Sequence, residues 1–294
     1  MNEQESKEQL LHELKMIEKW EDDQKGLFFW EKLGRLPFVL LDRLTPKFLQ
    51  DRIGQLIDEM GSYLQTGGRY LVSQRGSLEH LSKHTRIKGD GDKSAVASIE
   101  EASRLPLAAM DRAADALSES RSAMATVQGA TTGFGGIFTL AIDIPSLLGL
   151  SLKVLQEIAV CYGYDPNDKK ERIFIINCLQ FSSSDIVGKK AILEKLALYD
   201  APERQNQAAA QIQGWREVIA TYRDNFGWKK LFQMIPIAGM LFGAYFNRGT
   251  IKDVAEAGKM LYRKRRILER LSTQTLEQGA SPEEPDKASG HGQI

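Results

Sequence analysis

Two histidines four residues apart have the spacing of a metal-binding pair. His80 and His84 occur in SLEHLSKHTR, and residues four apart share one face of a helix. Two imidazoles on one face can bind zinc when a third ligand is near, and Asp90 or Asp92 could supply it. However, no glutamate lies between the histidines as in zinc proteases, and the flanking sequence is polar. We therefore expect surface histidines and no metal site.

Three further motifs contain the residue types of known sites without their spacing. The GDGDKS stretch is not completed by the glutamate of a calcium loop. The glycines of GATTGFGG are not followed by the Lys-Ser or Lys-Thr pair of a phosphate-binding loop. The serines of FSSSD lie outside any G-x-S-x-G pattern and favour a helix break instead. The sequence therefore predicts no catalytic residue and no cofactor.

Asp143 is the single charged residue in GATTGFGGIFTLAIDIPSLLGL, which covers residues 129–150. It stands two residues before Pro145. An aspartate at the start of a helix accepts hydrogen bonds from the first free N–H groups, and this capping role is the expected one. The alternative is a buried acid that binds a ligand or pairs with a cation such as Arg248. Asp143, Pro145 and Arg248 are therefore candidate structural or ligand-binding residues.

Basic residues are consecutive in YRKRR near the C-terminus. Cations near the end of a helix usually form a solvated face that complements the helix dipole. The alternative is a patch for anionic lipid, because each basic residue near such a surface contributes about 1 kcal/mol. The candidate residues for lipid contact are Lys229, Lys230, Arg263, Lys264, Arg265 and Arg266.

The composition is that of a soluble globular protein. The chain has 294 residues, of which 42% are hydrophobic and 27% charged. The 39 basic residues equal the 39 acidic ones, so no net field attracts nucleic acid. Cys161 and Cys178 lie in apolar stretches, which indicates buried, reduced thiols. The N-terminal segment has no secretory-signal pattern, and we expect a cytoplasmic location.

Apolar residues recur at helical spacing along most of the chain. An amphipathic helix is predicted within residues 1–25, where Ser6 and Gln9 match a capping box. Asp168 and Glu171 match a second capping box. It leads into RIFIINCLQF, the only candidate strand, and that segment has no partner of similar character. We therefore predict an all-α fold.

This fold should be a multi-helix bundle in a single domain, residues 1–271. The segment 272–294 contains Gly, Pro, Ser and acidic residues with little to bury, which predicts a disordered tail.

Two Gly-rich apolar runs should form helical hairpins at the centre of the bundle. The first is charge-free from Ser122 to Ile142 and should bend at Asp143–Pro145; the second covers residues 231–247. An aspartate in mid-span costs roughly 2.5–3.5 kcal/mol, which argues against a free-standing membrane span. Small residues four apart let helices approach closely. The glycines expected to pack in this way are Gly129, Gly133, Gly239 and Gly243.

Three segments together resemble the EcsC protein family. They are FWEKLGRLPFVLLDRLTPKFLQDRI, VQGATTGFGGIFTLAIDIPSLLGLSLKVLQEIAVCYGYDP and IPIAGMLFGAYFNRGTIKDVAEAGKMLYRKRRILER. The likeness covers roughly residues 15–270. The family is named for the third member of a bacterial operon whose other products form an ABC transporter. The resemblance thus implies a bacterial cytoplasmic or membrane-associated helical protein with transporter subunits as partners, and it supplies no catalytic residues.

The sequence leaves two main functional hypotheses. The first is a non-catalytic accessory protein at the cytoplasmic face of the cell membrane, linked to an ABC transporter. Its hairpins would insert shallowly, and its basic cluster would bind anionic lipid. The alternative is a soluble ligand-binding protein or enzyme that uses the hairpins as its core. An adaptor that binds only a transporter subunit is a third reading.

Overall fold

All regular structure in the described part of the chain is helical, as predicted. The computed structural model describes residues 5–24, 55, 58–59, 61–67, 71–85, 95–134, 140–184, 186–197 and 236–279. The helices are α1 (Lys7–Gln24), α2 (Gln74–Thr85), α3 (Ile99–Ser103), α4 (Leu107–Phe134), α5 (Leu140–Cys161), α6 (Lys169–Ser183), α7 (Ile186–Ala197) and α8 (Pro236–Gly279). A short helical stretch, residues 61–66, precedes α2.

Helices α4 and α8 run antiparallel and form the most extensive helix–helix contact in the described residues. Asp111 near the start of α4 accepts a hydrogen bond from Arg263 in the second half of α8. Gly129 near the end of α4 lies against Gly243 near the start of α8. This pairing makes the two helices the frame on which the other elements pack.

Helix α5 completes a central three-helix unit and runs parallel to α8. Near its start, Asp143 accepts a hydrogen bond from Asn247. Near the end of α5, the carbonyl of Tyr162 accepts hydrogen bonds from Arg266. The inner face of α5 is apolar and fully buried, with Leu152, Leu155 and Ile158 at 0% exposure among others. The core of the protein therefore lies between α4, α5 and α8.

The predicted N-terminal amphipathic helix is confirmed as α1. Ser6 and Gln9 form the expected reciprocal capping box, with bonds of 2.8 and 3.2 Å. The apolar face buries Leu10 and Ile17 completely. This face packs α1 against α8, which Trp20 reinforces with a hydrogen bond to Glu256 of 2.7 Å.

The candidate strand RIFIINCLQF is helical and forms most of α6. Its residues are buried on nearly every side, so they needed no alternation of apolar and polar positions. The capping box predicted at its start is wrong. The side chain of Asp168 makes no capping bond, and Glu171 instead bonds to Tyr262 and Arg265 of α8.

The two predicted hairpins differ from the observed helices. Asp143 and Pro145 lie inside α5, so the chain does not bend there, and the connection between α4 and α5 falls in residues 135–139, outside the described residues. The second run contains no bend from Pro236 onward. It forms the beginning of α8, one helix of 44 residues, and residues 231–235 lie outside the described part. A proline at the first position of a helix loses no helical hydrogen bond.

The last helix extends beyond the predicted end of the domain. Residues 272–279, assigned to the tail from composition, continue α8, and residues 280–294 lie outside the described residues. Both cysteines are free and buried, as expected. Burial raises the pKa of the Cys161 thiol, so the group stays protonated.

Candidate functional site

One end of the central three-helix unit is almost free of charge, and we call it the tip. It consists of residues 122–134 of α4, 140–152 of α5 and 236–247 of α8. Asp143 is the single ionisable acid or base in these three segments apart from Tyr245. The opposite end of the unit contains several ion pairs between the same helices. Charged side chains are therefore concentrated at one end of the three-helix unit, and the other end is almost free of them.

Large apolar side chains are exposed on the tip. Six of the ten exposed large hydrophobic residues in the described chain belong to it. They are Met124, Val127, Ile142, Met240, Leu241 and Tyr245, and the exposed fraction reaches 68% for Leu241 and 80% for Tyr245. An accumulation of exposed apolar side chains at one end of a protein is typical of a region that contacts a partner or a membrane.

A buried polar cluster lies beneath this apolar surface. Asp143 is completely buried, and its Oδ1 lies 2.9 Å from Thr132 Oγ1, 2.9 Å from Asn247 Nδ2 and 3.3 Å from Gln128 Nε2. The three residues come from α4 and α8, so one carboxylate joins all three helices of the tip. The capping role predicted for Asp143 is wrong, because the residue lies within α5 and bonds across helices.

The glycines of the tip allow α4 and α8 to meet backbone to backbone. A Cβ atom at Gly129 would overlap the carbonyl group of Gly243. Gly133 is buried one turn further along α4, and Gly239 lies in the first turn of α8. The close approach brings Asn247 within reach of Asp143 on the third helix.

The other two candidates named with Asp143 have separate roles. Arg248 forms its ion pair with Glu119 at 3.3 Å, which contradicts the predicted Asp143–Arg248 pair. Pro145 lies in the second turn of α5. Its missing N–H removes one helical hydrogen bond there without ending the helix.

The consecutive basic residues are directed inward, which corrects both predictions for them. Arg263 forms ion pairs with Glu13 at 2.8 Å and with Asp111 at 3.1 Å. Lys264 pairs with Glu21 at 2.8 Å, and both cations therefore attach α1 to α8. Burial raises the pKa of Asp111, and Arg263 opposes that shift by stabilising the charged carboxylate.

The next two cations of the cluster hold α6 and the end of α5. Arg265 pairs with the buried Glu171 at 2.8 Å and stacks on Tyr164 at 4.2 Å. Arg266 donates to the carbonyl of Tyr162 at 2.7 and 2.9 Å. Cations occupied in this way are not available to lipid. Lys229 and Lys230, which were expected to extend the patch, lie outside the described residues.

The two histidines share one face of α2, and Asp90 and Asp92, which were considered as the third ligand, lie outside the described residues. His80 Nε2 lies 3.1 Å from the carbonyl of Ala113, and His84 Nδ1 lies 2.9 Å from the carbonyl of His80. These ring nitrogens are therefore occupied by backbone acceptors. Within the described ranges, no group of three or more His, Cys, Asp or Glu residues could hold a metal ion.

Comparison with known proteins places the chain in a family. The model of the EcsC protein family matches residues 11–267, which is most of the chain. The chain belongs to the EcsC protein family. A Bacillus subtilis (strain 168) protein described as "Uncharacterized protein YdbA" is 56% identical over 267 residues, covering 91% of this chain and 96% of that protein. "Protein EcsC" of the same strain is 29% identical over 146 residues, covering 50% of this chain and 59% of that protein. No solved structure matches.

Two of the three segments that carry the EcsC resemblance contribute the tip and its polar cluster, and the segment FWEKLGRLPFVLLDRLTPKFLQDRI lies outside the described residues. Sequence reasoning selected Asp143 but missed its partners Gln128, Thr132 and Asn247. The sequence contained a signal for two of them, because Gln128 and Thr132 are four apart and so share one face of an uncharged helical segment. Among the described residues, no helix of this EcsC-family protein is long and apolar enough to cross a membrane.

Proposed function

We propose that this EcsC-family protein is a non-catalytic accessory protein that attaches to the cytoplasmic face of the cell membrane by inserting its tip shallowly. The observation that carries the proposal is the cluster of six exposed apolar side chains on the tip. Helical surfaces of this type lie in the membrane interface with their apolar residues buried about 5–10 Å deep.

The dimensions of the tip suit shallow insertion. Residues 236–247 of α8 carry no formal charge and extend roughly 18 Å at about 1.5 Å per residue. Insertion to the depth of the headgroup and upper acyl region would therefore bring no exposed charge of α8 into the apolar phase. Tyr245, which is 80% exposed, has the amphipathic ring that favours the boundary between lipid and water.

Asp143 does not oppose this insertion. It is completely buried before any contact with lipid, and its carboxylate is bonded to side chains of α4 and α8. The cost of removing it from water is part of folding, so the penalty of roughly 2.5–3.5 kcal/mol for an aspartate in a membrane span does not apply to insertion. The charge that argued against a transmembrane helix is thus compatible with a tip that touches lipid.

Liposome flotation tests the proposal directly. Vesicles of phosphatidylcholine, with and without phosphatidylglycerol, should carry the wild-type protein upward. The double variant Val127→Glu, Leu241→Glu places two charges on exposed positions of the tip and should remain at the bottom. The matched control is Leu276→Glu, because Leu276 is 74% exposed near the far end of α8. The control should float like the wild type.

Two results would contradict insertion of the tip. One is a wild-type protein that floats with neither vesicle. The other is equal flotation of the wild type and the double variant, which would place the lipid contact elsewhere. Thermal unfolding of each variant verifies that the charges have not disrupted the fold.

An ABC transporter subunit is the partner implied by the family resemblance. Attachment to the membrane would hold this protein beside such a subunit, and the exposed tip would be the adjacent surface. Co-purification tests this link. The wild type and the Val127→Glu, Leu241→Glu variant are each purified from membranes of bacterial cells that contain the transporter, and the proteins that accompany them are compared. Recovery of transporter subunits with the wild type alone would support it.

A further inference from the structure

A groove between the antiparallel helices α4 and α5 lies in the tip and ends at Lys153, the first residue of α5 beyond the tip. Its volume is about 580 Å³. The exposed surface of its lining is mostly apolar, and the lining residues are spaced three and four apart on each helix. They are Met124, Val127 and Gln128 on α4 and Ser146, Gly149, Leu150 and Lys153 on α5. Gly149 adds no side chain to its wall, so the middle of the groove stays open.

A single cation stands at the end of the groove nearest the charged part of the molecule. Lys153 is exposed and has no ion-pair partner among the described residues. The nearby cations, in contrast, form ion pairs. Arg121 is bound to Glu157 at 2.6 Å, and Arg248 is bound to Glu119. An exposed ammonium group beside an apolar groove provides charge complementarity for an anion attached to an apolar chain.

The spacing along α5 fits such a molecule. Ile142, Ser146, Gly149 and Lys153 follow one another at intervals of four, three and four residues, so they share one face of the helix. The groove covers Ser146 to Lys153 on α5, roughly 10 Å at about 1.5 Å per residue. This accommodates the part of an extended acyl chain nearest the headgroup, and Ile142 continues the same face of α5 toward the end of the tip. Lys153 lies just beyond the tip, on the side that would remain nearest to water.

We propose that the groove binds one acyl chain of an anionic glycerophospholipid and that Lys153 pairs with the lipid phosphate or headgroup charge. This inference rests on the proposed attachment of the tip to a membrane and names the lipid that the tip selects. Lysine snorkels in the required way, with its alkyl stem along the apolar wall and its ammonium in the polar layer.

A soluble short-chain lipid tests the groove without a membrane. Dioctanoyl phosphatidylglycerol and dioctanoyl phosphatidylcholine are titrated below their micelle concentrations, and binding is followed by calorimetry. The wild type should bind one phosphatidylglycerol and prefer it to phosphatidylcholine by about fivefold, as expected for one cation beside an anionic lipid. Lys153→Gln should remove this preference while retaining the weaker binding. Lys190→Gln, which changes an exposed lysine of α7, should behave like the wild type.

Filling the groove should abolish binding of both lipids. Gly149→Leu places a large side chain in the middle of the groove. The position is helical, so the replacement of glycine there also favours the helix. Val127→Trp fills the groove from the opposite wall and replaces that variant if Gly149→Leu fails to fold. Wild-type affinity in a folded groove-filling variant would overturn the proposal. Equal affinity of the wild type for the two lipids would also overturn it, as would saturation of the site by glycerol 3-phosphate alone.

The outcomes distinguish this inference from the proposed function. A protein that floats with vesicles but binds neither soluble lipid retains tip insertion, and only the lipid site is wrong. A protein that floats with no vesicle contradicts the membrane proposal itself, whatever the titrations give.

Discussion

A missing side chain sets how closely α4 and α8 approach each other. Gly129 has no Cβ, and the carbonyl of Gly243 occupies the space where that atom would be. The atoms in contact belong to the backbone of two long helices, which cannot move aside as the end of a flexible side chain can. The small residue at position 129 is therefore a requirement of the packing.

Gly129→Ala should destabilise the protein by about 1–3 kcal/mol, the usual cost of overpacking a well-filled contact. Denaturant unfolding followed by circular dichroism measures the change. Gly249→Ala is the matched control, because no atom lies within 4 Å of a Cβ built there and the residue is also helical. It should stabilise the protein by about 0.5–1 kcal/mol through lower backbone entropy. Similar effects of both substitutions would argue against the close contact.

Asp143 acts as a shared hydrogen-bond acceptor. Its Oδ1 lies within bonding distance of donors on Gln128, Thr132 and Asn247. Asn247 is fully buried, and its Oδ1 has no hydrogen-bond partner in the part of the chain that the structure describes, so this small cluster is sensitive to any further loss of polar contacts.

Asp143→Ala should cost about 3 kcal/mol of unfolding free energy, because it leaves buried donors without their acceptor. Asp143→Asn keeps an acceptor oxygen of the same size and should cost about 1 kcal/mol, near the net value of one hydrogen bond. Both values come from urea unfolding curves. Equal, small effects would mean that the donors find other acceptors and that the cluster does not join the helices.

At the scale of elements, a polar contact adds to the buried Leu78 and Leu81 in joining α2 to the rest of the protein. His80 bonds to the carbonyl of Ala113 and thereby links α2 to α4. Burial lowers the pKa of His80, and the neighbouring His84 and Arg121 also lower it, while that bond and Glu157 raise it. The net direction is downward, so the folded protein holds this histidine in its neutral form more strongly than the unfolded chain does.

The pH dependence of the unfolding free energy follows from the number of protons that His80 binds in the folded and unfolded states. Between the lowered pKa and the ordinary value of 6.5, the unfolded chain binds more protons at His80 than the folded protein does. The unfolding free energy should therefore fall as the pH decreases below about 6.5. Urea unfolding at pH values from about 5 to about 8 measures this pH dependence. His80→Gln should reduce this dependence, whereas the exposed His12→Gln should not; the same profile in all three proteins would contradict the assignment.

At the scale of the whole molecule, charge is distributed unevenly along the long helices. Arg263, Lys264, Arg265 and Arg266 use their charges within the fold, where they bind α1, α6 and the carbonyl end of α5. The tip at the other end presents apolar side chains. A membrane contact at the tip should therefore depend mainly on apolar burial, with Lys153 as a local electrostatic contribution.

The salt dependence of flotation distinguishes apolar attachment of the tip from electrostatic attachment. Flotation with phosphatidylcholine vesicles should persist at about 1 M salt, where charges are screened beyond roughly 3 Å. Loss of all flotation in salt would instead indicate attachment by a distributed basic surface, the alternative that the sequence offered for residues 263–266.

Local pattern determined much of the secondary structure. The capping box at Ser6 and Gln9 and the apolar spacing of Leu10 and Ile17 depend on neighbours in the chain, and α1 forms as they predict. RIFIINCLQF illustrates the limit. A segment buried on all sides loses the periodicity that separates a helix from a strand, so its state depends on the surrounding helices.

By itself, the sequence determined the all-α class, the family and the importance of Gly129, Asp143 and the apolar runs. Tertiary structure alone decided the direction of each charge. Arg263 and Arg265 could have faced solvent or lipid, and only the positions of Glu13 and Glu171, far away in the chain, draw them inward. Asp143 likewise became a buried acceptor because α4 and α8 bring three donors to it. Pairing between distant residues depends on how helices pack, and short-range spacing does not encode that packing.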